Sequence, residues 1–236
     1  MRAAIALGGV VLAWLAAPLP AGAQSALTVY SSLPLTGAAR PQAQAIVNGE
    51  RLALEEAGGV AGRRPVRFAS FDDATRTAGA WAPERVARNA RRAAQDPSTI
   101  AYIGEFNSAA SAISMPILNE AGVLQISPSN TAIGLTRGGL GAERGEPLKY
   151  NPTGLRHFFR LSPNDRVQAG ALAAAMRDGG CRRVALIDDG ETYGRAITGW
   201  AQRAARRIGL KVVARDVIDR RARSYRGLAR RLRGRR

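Results

Sequence analysis

Residues 100–136 read IAYIGEFNSAASAISMPILNEAGVLQISPSNTAIGLT, and this stretch decides the fold. Ile100-Ala101-Tyr102-Ile103-Gly104 is β-branched and aromatic, the composition of a buried strand. Ser108 to Ala121 reads as a helix that Gly122 stops. Val123 to Ile126 is the next strand, and Ser127-Pro128 closes it. Two successive strands that each run into a polar loop predict β-α units and a parallel sheet.

The same rhythm extends outward in both directions. On the N-terminal side, Leu27 to Ser32 is a strand closed by Pro34 and Gly37, and Pro41 to Ala57 is a helix. Its predicted buried face is Ile46, Gly49, Leu52, Ala53 and Ala57. Pro65 to Phe71 is a strand ending in Asp72-Asp73, and Ala82 to Gln95 is a helix stopped by Asp96-Pro97. On the C-terminal side, residues 136–155 are Gly-rich and aperiodic and read as an exposed loop. Their glycines fit neither a dinucleotide nor a P-loop spacing. His157 to Leu161 is a strand, Pro163 to Arg177 a helix, and Arg183 to Ile187 a strand ending in Asp188-Asp189. Tyr193 to Ile208 is a helix, Leu210 to Val217 a strand, and Ser224 onward a basic helix. Tyr225, Leu228, Ala229 and Leu232 share a face of that helix.

At the N-terminus, Met1-Arg2 is a short positive region and Ala3 to Ala17 an apolar run shorter than a spanning helix. Pro18, Pro20 and Ala21-Gly22-Ala23 follow. This is the layout of a secretory signal, residues 1–23, cleaved before Gln24. No Cys stands near that site, so the expectation is export without a lipid anchor.

The composition is that of a globular chain, 46% hydrophobic and 22% charged. The formal net charge is +17, which alone would suggest an anionic polymer as partner. Ten of the arginines, against two acids, lie in residues 215–236. That stretch carries almost half of the charge excess, and an exported chain of this kind argues against nucleic acid as the partner. The single Cys181 excludes a multi-Cys zinc site and an internal disulfide. The single His157 excludes paired-His metal motifs, weakens a Ser-His-Asp system, and reads as a structural histidine. Asp72-Asp73 and Asp188-Asp189 read as turn, cap or cleft-rim residues.

In open α/β sheets, ligands bind beyond the carboxyl ends of the strands, where helix N-termini point. The loops to inspect are therefore 33–40, 72–80, 104–108, 127–131 and 188–193. Gly104-Glu105-Phe106-Asn107-Ser108 places Ser108 at or near a helix cap, with a hydroxyl and free amides suited to a carboxylate. Ser127-Pro128-Ser129-Asn130-Thr131 offers a second set of small polar groups. Taken singly, each loop is equally an ordinary cap.

Residues 100–136 resemble the first-lobe core of the leucine/isoleucine/valine-type (branched-chain amino acid) substrate-binding proteins of bacterial ABC importers. SSLPLTG at 31–37, VNGERLALEEAGG at 47–59 and VALIDDGETYG at 184–194 carry the same resemblance. It implies a two-lobed type I periplasmic-binding fold of α/β class with doubly wound parallel sheets. The first ligand-binding lobe is expected at 24–160 and the beginning of the second at 161–236. The resemblance also implies ligand-binding roles. Ser108 would take a ligand carboxylate, Ser129 would offer backbone groups, and Thr131 would contact the head group. Tyr193 would close over the ligand from the second lobe. Relatives continue beyond this point, so the second lobe is expected to be incomplete, a truncated product lacking the acid that pairs a ligand ammonium. Two full lobes need roughly 300 residues.

The expected function is capture of an amino acid or related solute by cleft closure, for delivery to the membrane permease of an ABC importer. The expected protein is a monomer outside the cytoplasmic membrane, with no cofactor, no metal and no catalysis. The rival readings are an exported α/β hydrolase-like enzyme and a basic-tail interaction protein.

Overall fold

A computed structural model describes residues 25–235. The expected secretory signal, residues 1–23, lies outside them. Three strands begin the main sheet: β1 (Leu27–Leu33), the short β2 (Val60–Ala61) and β3 (Arg64–Asp72), with α1 (Arg40–Glu56) between β1 and β2. A small hairpin, β4 (Ala74–Thr75) and β5 (Ala80–Trp81), leads into α2 (Pro83–Gln95). Then come β6 (Thr99–Ile103), α3 (Ser108–Glu120), β7 (Gln125–Ser127) and β8 (Phe158–Arg160). These strands form one six-stranded sheet in the order β2-β3-β1-β6-β7-β8. Every neighbouring pair is parallel except the β2–β3 hairpin.

Alternation along β1 explains why this sheet needs helices on both faces, since successive side chains point to opposite sides. Tyr30 packs with Tyr102, Ala90, Ala93 and Leu118 beneath α2 and α3. Leu33 packs with Ala43 and Val47 beneath α1. The sheet is thus wound on both sides. The buried stripe of α1 is Ala43 and Val47, flanked by the half-buried Ile46, Glu50 and Leu54. This corrects the face predicted from sequence, because Leu52 is 53% exposed and Gly49, Ala53 and Ala57 are exposed with it. The stripe is rotated by about one residue, or about 100° at 3.6 residues per turn.

After β8 the chain passes through Ser162-Pro163 into α4 (Asp165–Asp178), β9 (Arg183–Asp188), α5 (Thr192–Arg207), β10 (Lys211–Val217) and α6 (Arg226–Arg233). β9 and β10 form a separate parallel pair. Val184, Leu186 and Asp188 alternate inward under α4 and α5. The other face, with Ala185 and Ile187, is exposed. Small residues let the helices come close: Ala169 and Ala173 of α4 and Ala201 and Ala205 of α5 are at most 1% exposed. No residue of α6 is buried. The basic helix therefore exists, and Leu228 and Leu232 on its apolar face are only half covered.

Segment 136–155 is only partly the exposed loop that its composition predicts. Leu140, Leu148 and Leu155 are exposed. Single 3₁₀ turns at Ile133–Leu135 and Leu148–Tyr150, however, plug Leu135 and Tyr150 into a core with Met115 and Phe158. His157 precedes β8 rather than opening it. Its carbonyl accepts the Gln125 amide, but its Nδ1 has no partner among the described residues.

Candidate functional site

Ser108, Ser129, Thr131 and Tyr193 line one cavity of about 610 Å3. It lies where the six-stranded sheet meets the α4–α5 layer. Of the five strand-end loops, 104–108, 127–131 and 188–193 border it or carry the helix that does. Loop 33–40 contributes only through its neighbour Gln42 on α1. Loop 72–80 lines no part of it. That segment folds into the β4–β5 hairpin, with Gly79 packed against Gly37.

Ser108 is the first residue of α3, and Asn107 is the cap, although no Asn107 side-chain bond closes the helix. The first amides of a helix have no partner within it, so the N-terminus of α3 presents N–H groups and a partial positive charge. Ser108 is 3% exposed, and its Oγ accepts from the amides of Thr131 and Ala132 at 3.4 and 3.3 Å. A hydroxyl whose lone pairs face two donors has its proton left to give, which suits an acceptor such as a carboxylate oxygen.

The second loop is tied to the first by a set of buried hydrogen bonds. Ser127 Oγ donates to the Glu105 carbonyl at 2.8 Å and accepts the Asn130 amide at 2.9 Å. Asn130 Nδ2 donates to the carbonyls of Glu105 and Phe106, both at 3.0 Å. Ser129 Oγ donates to the Phe106 carbonyl at 2.8 Å. The Ser129 hydroxyl is therefore a strut between loops.

Thr131 is 9% exposed, and its hydroxyl sits beside the buried Asp165 carboxyl at the start of α4. The Asp165 amide donates to the Thr131 carbonyl at 2.9 Å. Burial raises the Asp165 carboxyl above its ordinary range, opposed by Thr131 and by the nearby Arg160 guanidinium. Arg160 clamps the following turn by donating to the Ala132 carbonyl and to Thr136 Oγ1, both at 2.6 Å. From the opposite wall, Tyr193 of α5 is 40% exposed and accepts from Gln168 Nε2 of α4 at 3.0 Å. Glu191, the cap residue of α5, accepts from Trp81 Nε1 across the gap at 3.4 Å.

Sequence reasoning missed Gln42, Phe106, Ser162 and Gln168 in the lining, and Asp165 and Arg160 behind it. Phe106 stood in a loop already singled out, so proximity to Ser108 was a usable signal. Gln168 sits mid-helix, where sequence offers no sign of a cavity. None of the residues lining the cavity carries a charged side chain. A larger cleft of about 980 Å3, between segment 133–140 and helices α4 and α5, contains none of the strand-end loops. Among the described residues no group of His, Cys, Asp or Glu could hold a metal ion.

Comparison with known proteins matches residues 31–235 to the family described as periplasmic binding protein. An amino acid binding protein of Pseudomonas aeruginosa is 24% identical over 205 residues, covering 85% of this chain and 49% of that protein. The chain thus spans about half the length of this curated relative. A leucine binding protein of Thermotoga maritima superposes with a TM-score of 0.71 at 22% identity, covering 89% of this chain and 53% of its own. A solute binding protein of an ABC transporter from Rhodopseudomonas palustris, in complex with p-hydroxybenzoic acid, gives 0.73 at 14% identity, with 89% and 51% covered. At such identities these structures establish the likeness of fold.

Proposed function

The chain belongs to the periplasmic binding protein family, and from that premise we propose that it captures a small carboxylate-bearing solute in the cavity between its two layers. In this reading residues 24–160 belong to the first lobe and residues 161–236 to the second. The observation that carries this reading is the convergence of Ser108, Ser129 and Thr131 from one side and Tyr193 from the other on one cavity at the N-terminus of α3. A buried carboxylate requires fixed partners. Here they are the Ser108 hydroxyl proton and the first amides of α3, with the Thr131 carbonyl tied to the Asp165 amide. Tyr193 and Gln168 supply the opposing contacts, so a ligand that touches both walls favours the closed arrangement over the open one.

The function is binding and delivery, without turnover, to the permease of an ABC importer. The protein acts as an exported monomer and has no nucleic-acid partner. Among the described residues no helix is long and apolar enough to cross a membrane. The solute class includes amino acids such as leucine. The lining favours a second class as well. It holds Phe106 and Tyr193, whose aromatic rings suit an aromatic acid such as p-hydroxybenzoate.

Isothermal titration with leucine and with p-hydroxybenzoate tests the reading. Heat of binding for at least one, weakened by about 1–3 kcal/mol in Ser108→Ala, is expected for a lost bond to a buried carboxylate. Binding that is unchanged in Ser108→Ala would remove the assigned role of that serine. Hydrolysis of ester or amide substrates by the purified chain would replace this reading by an enzymatic one.

A further inference from the structure

Behind the Ser108 loop lie two acids that the ligand site does not use. Asp73 directly follows β3 and Glu105 stands one residue beyond β6, after Gly104; these are the two strands that flank β1. Both are completely buried. Their carboxyls sit side by side across Ser32 of β1, each perturbing the other. Glu105 Oε1 accepts from the Tyr102 hydroxyl at 2.6 Å. Among the described residues, neither oxygen of Asp73 and not Oε2 of Glu105 has a donor. The sequence suggested a turn or rim position for Asp73, and the structure corrects this. Only Asp72 plays the turn role, accepting from the amides of Leu35 and Ala74 and from the Thr36 hydroxyl.

The surroundings supply no countercharge. Asp72 and Tyr102 are the other titratable groups against the pair. Asn89 of α2 spends its Nδ2 on Ser32 Oγ and the Asp72 carbonyl. Ser111 of α3 accepts the Glu105 amide at 3.1 Å. Two adjacent buried carboxyls resist ionising together, because each charge disfavours the other and burial disfavours both. A proton between them satisfies the orphaned oxygens of both, because a carboxylic acid donates where a carboxylate only accepts.

We propose that Asp73 and Glu105 share one proton as an acid–carboxylate pair, and that this pair positions the Gly104–Ser108 loop for ligand. Glu105 is the hub of that loop: its amide holds Ser111, and its carbonyl holds Ser127 and Asn130. Loss of the last proton leaves two anions pressed together directly behind Ser108, which moves the loop and relaxes its grip. Both acids are positioning residues.

The titration runs in the matching direction. Burial pushes the Asp73 carboxyl up to about 6, with the Asp72 charge adding to the rise and the Glu105 hydrogen bond opposing it. Burial, then the Asp73 charge, holds Glu105 well above the ordinary carboxyl range. Acids whose pKa is higher folded than unfolded contribute stability that is complete below the unfolded values of 3.8 and 4.5. That stability is lost as pH rises from the unfolded values through the folded ones, which for Asp73 means up to about pH 6 and for Glu105 well above its ordinary range.

The test has an arm without ligand and an arm with it. Thermal unfolding of the ligand-free chain is followed from pH 4.5 to 9 for wild type, Glu105→Gln and Asp73→Asn. Either amide puts an N–H donor where the shared proton stood and removes one titration. The midpoint of each variant is expected to fall less steeply with pH than that of wild type, and equal slopes would overturn the shared proton. A measurement on wild type alone guards against variants that fail to fold. The infrared band of a protonated carboxylic acid should persist at pH 7, and its absence at that pH would also overturn the pair. The ligand arm rests on the binding function proposed above. Titration with leucine and p-hydroxybenzoate at pH 5.5 and 8.5 should show about a tenfold affinity loss for wild type, one pKa unit's worth, and none for Glu105→Gln. Equal affinity of wild type at both pH values would end the positioning role. If neither probe binds at any pH while the unfolding slopes differ, the shared proton stands and the proposed solute classes fail.

Discussion

Asn130 shows what a single buried polar residue does in this protein. It is 1% exposed, and its one amide nitrogen bridges the carbonyls of Glu105 and Phe106, so it joins the two loops that face the cavity. Replacement by Ala removes one donor from each carbonyl while Ser127 and Ser129 still reach them, at a cost of about 1 kcal/mol. Asn130→Ala should therefore lower the denaturant midpoint and weaken ligand binding together, and a variant that loses affinity at unchanged stability would contradict the strut role. The residue was legible in the sequence as a member of a polar loop. Its partners were not, because they lie 24 and 25 positions away and meet it only when β6 and β7 pair. Thr131 and Asp165 give the same lesson. The threonine was readable as a loop residue, while the acid that backs it comes from the far side of β8.

At the scale of elements, two close approaches are decisive. Gly37 has φ +88°, a conformation that side chains rarely adopt, and an added Cβ would run into the Gly79 backbone. Gly37→Ala should therefore push the β4–β5 hairpin off loop 33–40. Faster amide exchange over residues 74–81 than over α2 is the expected observation. The second approach is α4 against α5, which meet through alanines. Ala201→Leu overfills that contact and should cost about 1–3 kcal/mol. Unchanged thermal stability would show that the two helices have slack. The strands and helices around 100–136 follow from composition and breakers, and their observed bounds differ from the predicted ones by one or two residues. The hairpin was not foreseen: two-residue strands carry too little pattern, and its register depends on the distant Gly37.

Over the whole molecule, the +17 charge is a property of the surface. Seven ion pairs lie among the described residues, and arginines occupy most of the exposed face of α6. Like charges on a compact chain repel, and salt screens that repulsion over about 10 Å at 0.1 M. The unfolding midpoint should rise between low and moderate NaCl and should not rise with an equal osmolality of sucrose beyond its own small effect. A midpoint that falls with NaCl would mean that the ion pairs outweigh the repulsion. The proposed closure also belongs to this scale. Trp81 and Glu191 already touch across the gap between the six-stranded sheet and the β9–β10 layer. A ligand present at 100 times its dissociation constant should stabilise the chain by about 2.7 kcal/mol.

The alternation of strand and helix, the polar loops at strand ends and the placement of Ser108 at a helix start were written in the sequence, because each depends on residues within about one turn or one strand. The tertiary structure alone decided which face of α1 is buried, where loop 72–80 goes, and that Gln168 lines the cavity of Ser108. It also decided that Asp73 and Glu105 meet. Those outcomes depend on side chains far apart in sequence that compete for the same buried space, and local pattern holds no information about that competition.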